Sequence, residues 1–126
     1  MPDTNTHKKL LIIEDDADIL SILDLIFKQE GYHVILSESG AEAEEIPVIK
    51  PDLVLLDLRL TSYGREGETI CAKIKSQAAT RHIPVILLSA EMDIREICEE
   101  CGANDYLSKP FDIEQLSQKV KSLVFA

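Results

Sequence analysis

The strongest constraint on the fold is the run Leu53-Val54-Leu55-Leu56, which follows Pro51, precedes a polar, Gly-containing segment and ends on a single carboxylate, Asp57. Consecutive apolar residues without alternation describe a strand covered on both faces, the condition of a central strand in a parallel sheet. Such a strand requires helices above and below it and puts Asp57 at its carboxyl end. In open parallel sheets that edge is where loops from several strands meet and sites form.

The remaining strands and helices follow in order. Leu10-Leu11-Ile12-Ile13 is too short for a helix and reads as a first buried strand, followed at once by Glu14-Asp15-Asp16. Between Asp18 and Glu30 the residues Ile19, Ile22, Leu23, Ile26 and Phe27 recur at three and four, predicting an amphipathic helix capped by Asp16 or Asp18 and stopped at Gly31. Val34-Ile35-Leu36 makes a second strand. A short helical stretch around Ala41 to Ile46 is interrupted by Pro47, which lacks a donor and clashes with the preceding turn, so this second helix should be short or irregular.

After a polar loop from Thr61 to Gly67, the residues Ile70, Cys71 and Ile74 suggest a third helix. Pro84-Val85-Ile86-Leu87-Leu88 forms a fourth strand ending on Ser89-Ala90, and a helix from about Asp93 to Cys101 stops at Gly102. Asp105-Tyr106-Leu107 is a brief fifth strand, Lys109-Pro110 opens a turn, and Leu116, Val120 and Leu123 mark a last helix. Regular alternation of strand and helix predicts an α/β fold, a flavodoxin-like doubly wound five-stranded parallel sheet of order 2-1-3-4-5 with five helices. Residues 1–8 are expected as a flexible lead-in and 9–126 as one domain.

Composition excludes several classes of function. A formal net charge of −10 argues against direct binding to nucleic acid, whose phosphates are engaged by clustered Lys and Arg. No apolar run approaches the about 18 residues of a membrane span, and Met1 to Lys9 lacks the apolar core of a signal peptide, so a soluble, cytoplasmic protein without membrane contact is expected. Cys71, Cys98 and Cys101 form an odd, sparse set that suits a reducing compartment. Cys98 and Cys101 have the spacing of a redox or zinc half-motif, yet no second ligand pair accompanies them, and they are expected to be packing residues.

In the order 2-1-3-4-5 the first and third strands are neighbours, so Glu14 and Asp15 lie beside Asp57, with Ser89 and Lys109 at the same edge. Three close carboxylates call for a cation, and hard oxygen ligands suit Mg²⁺. Beside it Asp57 can act as a nucleophile toward phosphorus, while the Lys109 ammonium and Ser89 hydroxyl bind phosphoryl oxygens. Each residue alone has an ordinary reading, as a helix cap, a turn serine or a surface lysine. Their coincidence at one strand edge favours the site.

These motifs are similar to those of the response-regulator receiver domain (CheY-like) of two-component phosphorelay signalling. The resemblance runs over nearly the whole chain and rests on Glu14-Asp15, Asp57, Ser89-Ala90, Asp105-Tyr106-Leu107 and Lys109-Pro110-Phe111. It implies Mg²⁺ held by Asp15, Asp57 and the Arg59 backbone carbonyl, with Glu14 acting through a water, and a cis Lys109-Pro110 peptide. It implies a signalling phosphoacceptor that catalyses only its own phosphorylation and dephosphorylation. The donor would be the phosphohistidine of a sensor histidine kinase or phosphotransfer protein. Ser89 and Tyr106 would form the switch that alters the face of helix four, strand five and helix five toward a downstream protein target. Arg59 and Glu91, each two residues beyond a site residue, would flank the path of the attacking water and form a lid over phospho-Asp57.

The chain departs from that family's pattern at Thr61, where proline is common, in a longer Thr61 to Gly67 loop, in a shorter Ser89 to Lys109 segment and at Pro47. These bear on partner choice. Two rival readings are a phosphorylation-independent adaptor and a haloacid dehalogenase-type phosphatase. The latter needs a second Asp where this chain has Arg59, and a capping domain for which 126 residues leave little room. Flavin binding fits poorly with an acidic triplet after the first strand. With nothing after Ala126, the chain is expected to be either a stand-alone regulator or an excised receiver.

Overall fold

A computed structural model describes residues 8–38, 40–60 and 66–125. Five parallel strands, β1 (Lys9–Ile13), β2 (His33–Ser37), β3 (Leu53–Asp57), β4 (Val85–Ser89) and β5 (Asp105–Ser108), form one sheet in the order β2-β1-β3-β4-β5. Helices α1 (Ala17–Gln29), α2 (Ile46–Ile49), α3 (Glu66–Ser76) and α4 (Ile94–Cys101) connect successive strands, α5 (Ile113–Val124) follows β5, and a 3₁₀ turn, Ala41–Glu45, precedes α2. The expected α/β fold, strand order and five helices are all present.

The alternation of side chains along each strand divides the core into two layers. Leu10, Ile12, Leu53, Leu55, Ile86, Leu88 and Leu107 face α1 and α5, whose Leu20, Leu23, Phe27, Leu116 and Val120 are buried against them. The alternate residues Leu11, Ile13, Val54, Leu56, Val85 and Leu87 face α2, α3 and α4 through Ile46, Cys71, Ile74, Ile94, Ile97, Cys98 and Cys101. Every residue of β3 and β4 is buried, which explains their unbroken apolar runs.

Several local expectations need correction. The buried stripe of α1 is Leu20, Leu23 and Phe27, while Ile22 is 49% exposed. The segment carries apolar residues on more than one face, and packing selects among them. The second helical segment is short and irregular, as Pro47 implies, a five-residue 3₁₀ turn followed by a four-residue helix, but the proline does not end it. Pro47 lies at the start of α2, where the missing N–H has no intrahelical partner to lose, and the helix ends instead at Lys50 in the left-handed conformation. The 3₁₀ turn runs directly into α2, so the second connection stays helical from Ala41 to Ile49.

Glu66 and Gly67 begin α3 and are not loop, whereas 61–65 lie outside the described residues. Lys8 belongs to the fold: its carbonyl accepts the His33 amide at 2.8 Å and its ammonium lies 5.7 Å from the centre of the Phe125 ring. The expected lead-in is therefore at most 1–7, which also lie outside the described residues. Asp16 caps α1, its carboxylate accepting the Asp18 and Ile19 amides at 2.9 and 3.1 Å. Among the described residues no helix is long and apolar enough to cross a membrane.

Candidate functional site

The two-layer alternation also decides which polar residues meet at the carboxyl edge. Glu14 continues the Leu10, Ile12 series of β1, Asp57 the Leu53, Leu55 series of β3, and Lys109 follows Leu107 of β5 by two. All three belong to the α1/α5 side of the sheet. They converge accordingly: Lys109 Nζ lies 2.9 Å from Glu14 Oε1 and 3.5 Å from Asp57 Oδ1. The Lys109-Pro110 peptide is cis, as the family resemblance implies, and the Lys109 amide donates to the Ser89 carbonyl at 2.8 Å.

Ser89 belongs to the opposite series, after Val85 and Leu87, on the side that faces α3 and α4. Its Oγ accepts the Glu91 amide at 2.9 Å, which leaves the O–H free to donate elsewhere. Tyr106 is half-buried against the same layer and sits in register with Leu87, so Ser89 and Tyr106 share one side of the sheet two residues apart in register. The sequence brought both residues to the fourth and fifth strands, and the structure adds that they flank the α4 layer.

Glu14, Asp15 and Asp57 each present a carboxylate oxygen within 4.8 Å of the other two. Glu14 and Asp57 are buried while Asp15 is exposed, so the cluster opens to solvent through Asp15. Burial chiefly, then the charge of Glu14 and hydrogen bonds shared with Glu14 and Asp15, push the Asp57 carboxyl up to about 8 against the pull of Lys109. For Lys109, burial acts to lower the pKa, but contacts with Glu14 and Asp57 outweigh it and raise the ammonium above its ordinary value.

One ammonium against three carboxyl groups leaves a largely buried site short of positive charge once Asp57 ionises. Glu14 Oε1 shows the same deficit. Its approach to Lys109 is short enough for a hydrogen bond but poorly aligned, and the buried oxygen has no well-formed donor. A divalent cation bound by oxygen ligands would compensate both, so the residues present fit Mg²⁺. Glu14 Oε2 accepts the Asp16 amide at 3.1 Å and lies behind the open cleft, which suits a ligand acting through water.

That cleft, about 470 Å³, is lined by Asp15, Asp57, Arg59, Ser89, Ala90, Glu91 and Lys109. Arg59 Nε donates to Glu91 Oε2 at 2.7 Å, so the two residues expected as a lid do meet at its rim. A further site element escaped the sequence reading. Gly67 N donates to Leu58 O at 2.9 Å, and a Cβ on Gly67 would collide with the Asp57 carbonyl oxygen and stand 2.8 Å from Leu58 Cα. Glu66 Oε1 accepts the Leu60 amide at 3.3 Å. The first turn of α3 thus clamps the backbone on either side of Arg59, and only a residue without a side chain permits it. A glycine shortly after the strand-end Asp is a weak signal of this contact in sequence.

A family model, the response regulator receiver domain, matches residues 10–121. The chain is 34% identical over 119 residues to the DNA-binding dual master transcriptional regulator RpaA of Synechocystis, covering 92% of this chain and 48% of that protein. It is likewise 34% identical over 118 residues to the transcriptional regulatory protein KdpE of Staphylococcus aureus, covering 91% and 49%. The chain therefore spans about half the length of the curated relatives it matches.

Among solved structures, the receiver domain of sensor histidine kinase PA1611 from Pseudomonas aeruginosa PAO1 superposes with a TM-score of 0.82 at 28% identity, covering 94% of this chain and 98% of that one. That structure carries a magnesium ion coordinated in its active-site cleft. The signal receiver domain of a histidine kinase from Syntrophus aciditrophicus gives a TM-score of 0.82 at 32% identity, covering 94% and 90%. The family match encloses all the strand ends that carry Glu14, Asp57, Ser89 and Lys109, and with them this chain belongs to the response regulator receiver domains of two-component systems.

Proposed function

We propose that the chain accepts a phosphoryl group on Asp57 from the phosphohistidine of a sensor histidine kinase or phosphotransfer protein, with Mg²⁺ as cofactor. One observation carries this reading: the three carboxylates and the Lys109 ammonium converge on one cleft, with Lys109 Nζ 3.5 Å from Asp57 Oδ1. Mg²⁺ held by Asp15, Asp57 and the Arg59 carbonyl, with Glu14 behind through a water, would neutralise charge on the phosphoryl oxygens.

An Asp57 carboxylate oxygen forms the bond to phosphorus as the bond to the donor's imidazole nitrogen breaks. Lys109 pairs with a phosphoryl oxygen, exchanging part of its contact with Glu14, and Ser89 donates its hydroxyl to another. Drawing Ser89 toward the phosphate empties space beside Tyr106 and biases the α4, β5, α5 face, a two-state element moved by a local charge. Arg59 and Glu91 stand across the approach to the site and limit access of the hydrolytic water. The chain acts as a signalling phosphoacceptor and catalyses only the gain and loss of its own phosphoryl group.

The apolar groove formed by Ile19, Ile22, Pro110, Phe111 and Ile113 opens beside Lys109, and offers a donor protein a surface next to the phosphoacceptor. A cytoplasmic setting agrees with three free, buried thiols. The downstream target is a protein, since a net charge of −10 opposes direct contact of this domain with nucleic acid.

Incubation with acetyl phosphate and Mg²⁺ tests the reading. A labile mass gain of one phosphoryl group is expected for the wild type and none for Asp57→Asn or in EDTA. Equal labelling of Asp57→Asn would remove the nucleophile assignment, and no labelling of the wild type would favour the adaptor reading.

A further inference from the structure

We propose that Cys71 and Cys101 are an oxidisable pair that forms a disulfide between α3 and α4 on exposure to a hydroperoxide. The two residues come from facing helices within one core layer, and Cys71 Sγ lies 3.6 Å from the Cys101 carbonyl oxygen. The Cys71 thiol therefore donates to the last turn of α4 and already reaches the backbone of Cys101. The helices are also close one turn further along α3: Gly102, left-handed at φ 84°, brings the end of α4 to where an added Cβ would lie 3.4 Å from Lys75 Cβ and Cγ.

The spacing that draws attention in sequence, Cys98 with Cys101, is the wrong pair. Residues three apart on a helix hold their Cβ atoms about 5 to 6 Å apart, whereas a disulfide needs about 3.5 to 4.5 Å. Cys98 Sγ instead donates to the Ala103 carbonyl at 3.5 Å, and burial pushes its thiol up to about 11. Nor do the three sulfurs make a metal site, because among the described residues the one group of three ligand atoms close enough to share an ion is Glu14, Asp15 and Asp57.

Cys101 reacts first. It is 7% exposed where Cys71 is fully buried, and the neighbouring Cys71 thiol holds it below the ordinary thiol range. Its thiolate attacks the peroxide: an S–O bond forms, the O–O bond breaks, and the departing oxygen takes up a proton as water. Cys71 sulfur then attacks the sulfenic sulfur, the S–S bond forms, the S–O bond breaks, and hydroxide leaves with the Cys71 proton as a second water. Two thiols are oxidised and one peroxide is reduced. The bond would fix α4 against α3, and its effect on signalling rests on the α4 switch proposed above.

Peptide mapping of the full chain after hydrogen peroxide treatment and alkylation tests the pair. A Cys71–Cys101 cross-link with loss of two hydrogens is expected in the wild type and in Cys98→Ser. Cys101→Ser should form none, and Cys71→Ser, which keeps an O–H donor beside Cys101, should leave Cys101 as a sulfenic acid trapped by dimedone. A link through Cys98, a link between chains, or an unmodified Cys101 in the wild type would overturn the proposal, without appeal to any variant's folding. The cross-linked protein should still take a phosphoryl group from acetyl phosphate but lose phosphorylation-dependent NMR shifts around Tyr106. Shifts that persist in it would overturn the link between bond and switch. Absence of labelling in the reduced protein would count against the phosphoacceptor reading instead.

Discussion

Removing the charge of Asp57 should stabilise the ion-free protein, by an amount that depends on pH. Folded Asp57 holds its proton with a pKa of about 8 against 3.8 for an ordinary aspartate, chiefly because it is buried beside Glu14. Between those values the folded state binds more protons than the unfolded one, so stability falls as pH rises through the window from about 4 to 8. At about 1.36 kcal/mol per tenfold change in proton affinity, burying this carboxyl costs the fold on the order of 5 kcal/mol at pH 8 and roughly 2 kcal/mol at pH 5, relative to acid pH where both states hold the proton. Asp57→Asn keeps the shape and cannot ionise.

Urea unfolding of wild type and Asp57→Asn in EDTA should therefore show the variant more stable, with the gap widening by roughly 3 to 4 kcal/mol from pH 5 to pH 8. Taking the difference cancels the contribution of groups that do not touch Asp57. Saturating Mg²⁺ should narrow the gap at pH 8, because the ion binds the ionised wild type better. A gap that is constant with pH, or a wild type more stable than the variant at pH 8 in EDTA, would refute this account of the buried acidic cluster.

The fold and most of the site could be read in the sequence because both follow from the same alternation. Buried central strands have no choice of residue type, so Leu53 to Leu56 and Val85 to Leu88 announce themselves. A polar residue at the end of such a run inherits the side of the sheet set by the residues two and four before it. That is why Glu14, Asp57 and Lys109 meet and Ser89 faces the other layer. Features decided by contact between distant segments could not be read in this way. The α1 segment carries enough Leu and Ile for several stripes, and only packing on β1 and β3 selects Leu20 over Ile22. Pro47 reads as a breaker unless a helix is known to start beside it. The need for glycine at Gly67 comes from a backbone nine to ten residues earlier, and the contact of Cys71 with Cys101 reaches across thirty.

Two further outcomes follow from those contacts. Gly67→Ala should cost at least about 3 kcal/mol in urea unfolding, as an overpacked site with backbone on the opposing side, and should slow acetyl phosphate labelling by displacing the Asp57 carbonyl; a loss under about 1 kcal/mol with normal labelling would contradict the clamp. The last concerns Arg59 and Glu91, joined at 2.7 Å across the rim of the cleft with side chains 48% and 26% exposed. So exposed a pair adds little to folding, and its effect should be on water access to phospho-Asp57. Glu91 is held by its own amide on Ser89 Oγ, so its carboxylate fixes where the long Arg59 side chain lies. Dephosphorylation should then quicken in Arg59→Ala and in Glu91→Ala, and the double variant should be no faster than the faster single one, because either substitution opens the same lid. Unchanged rates, or effects that simply multiply, would mean the two side chains act apart and the lid does not exist.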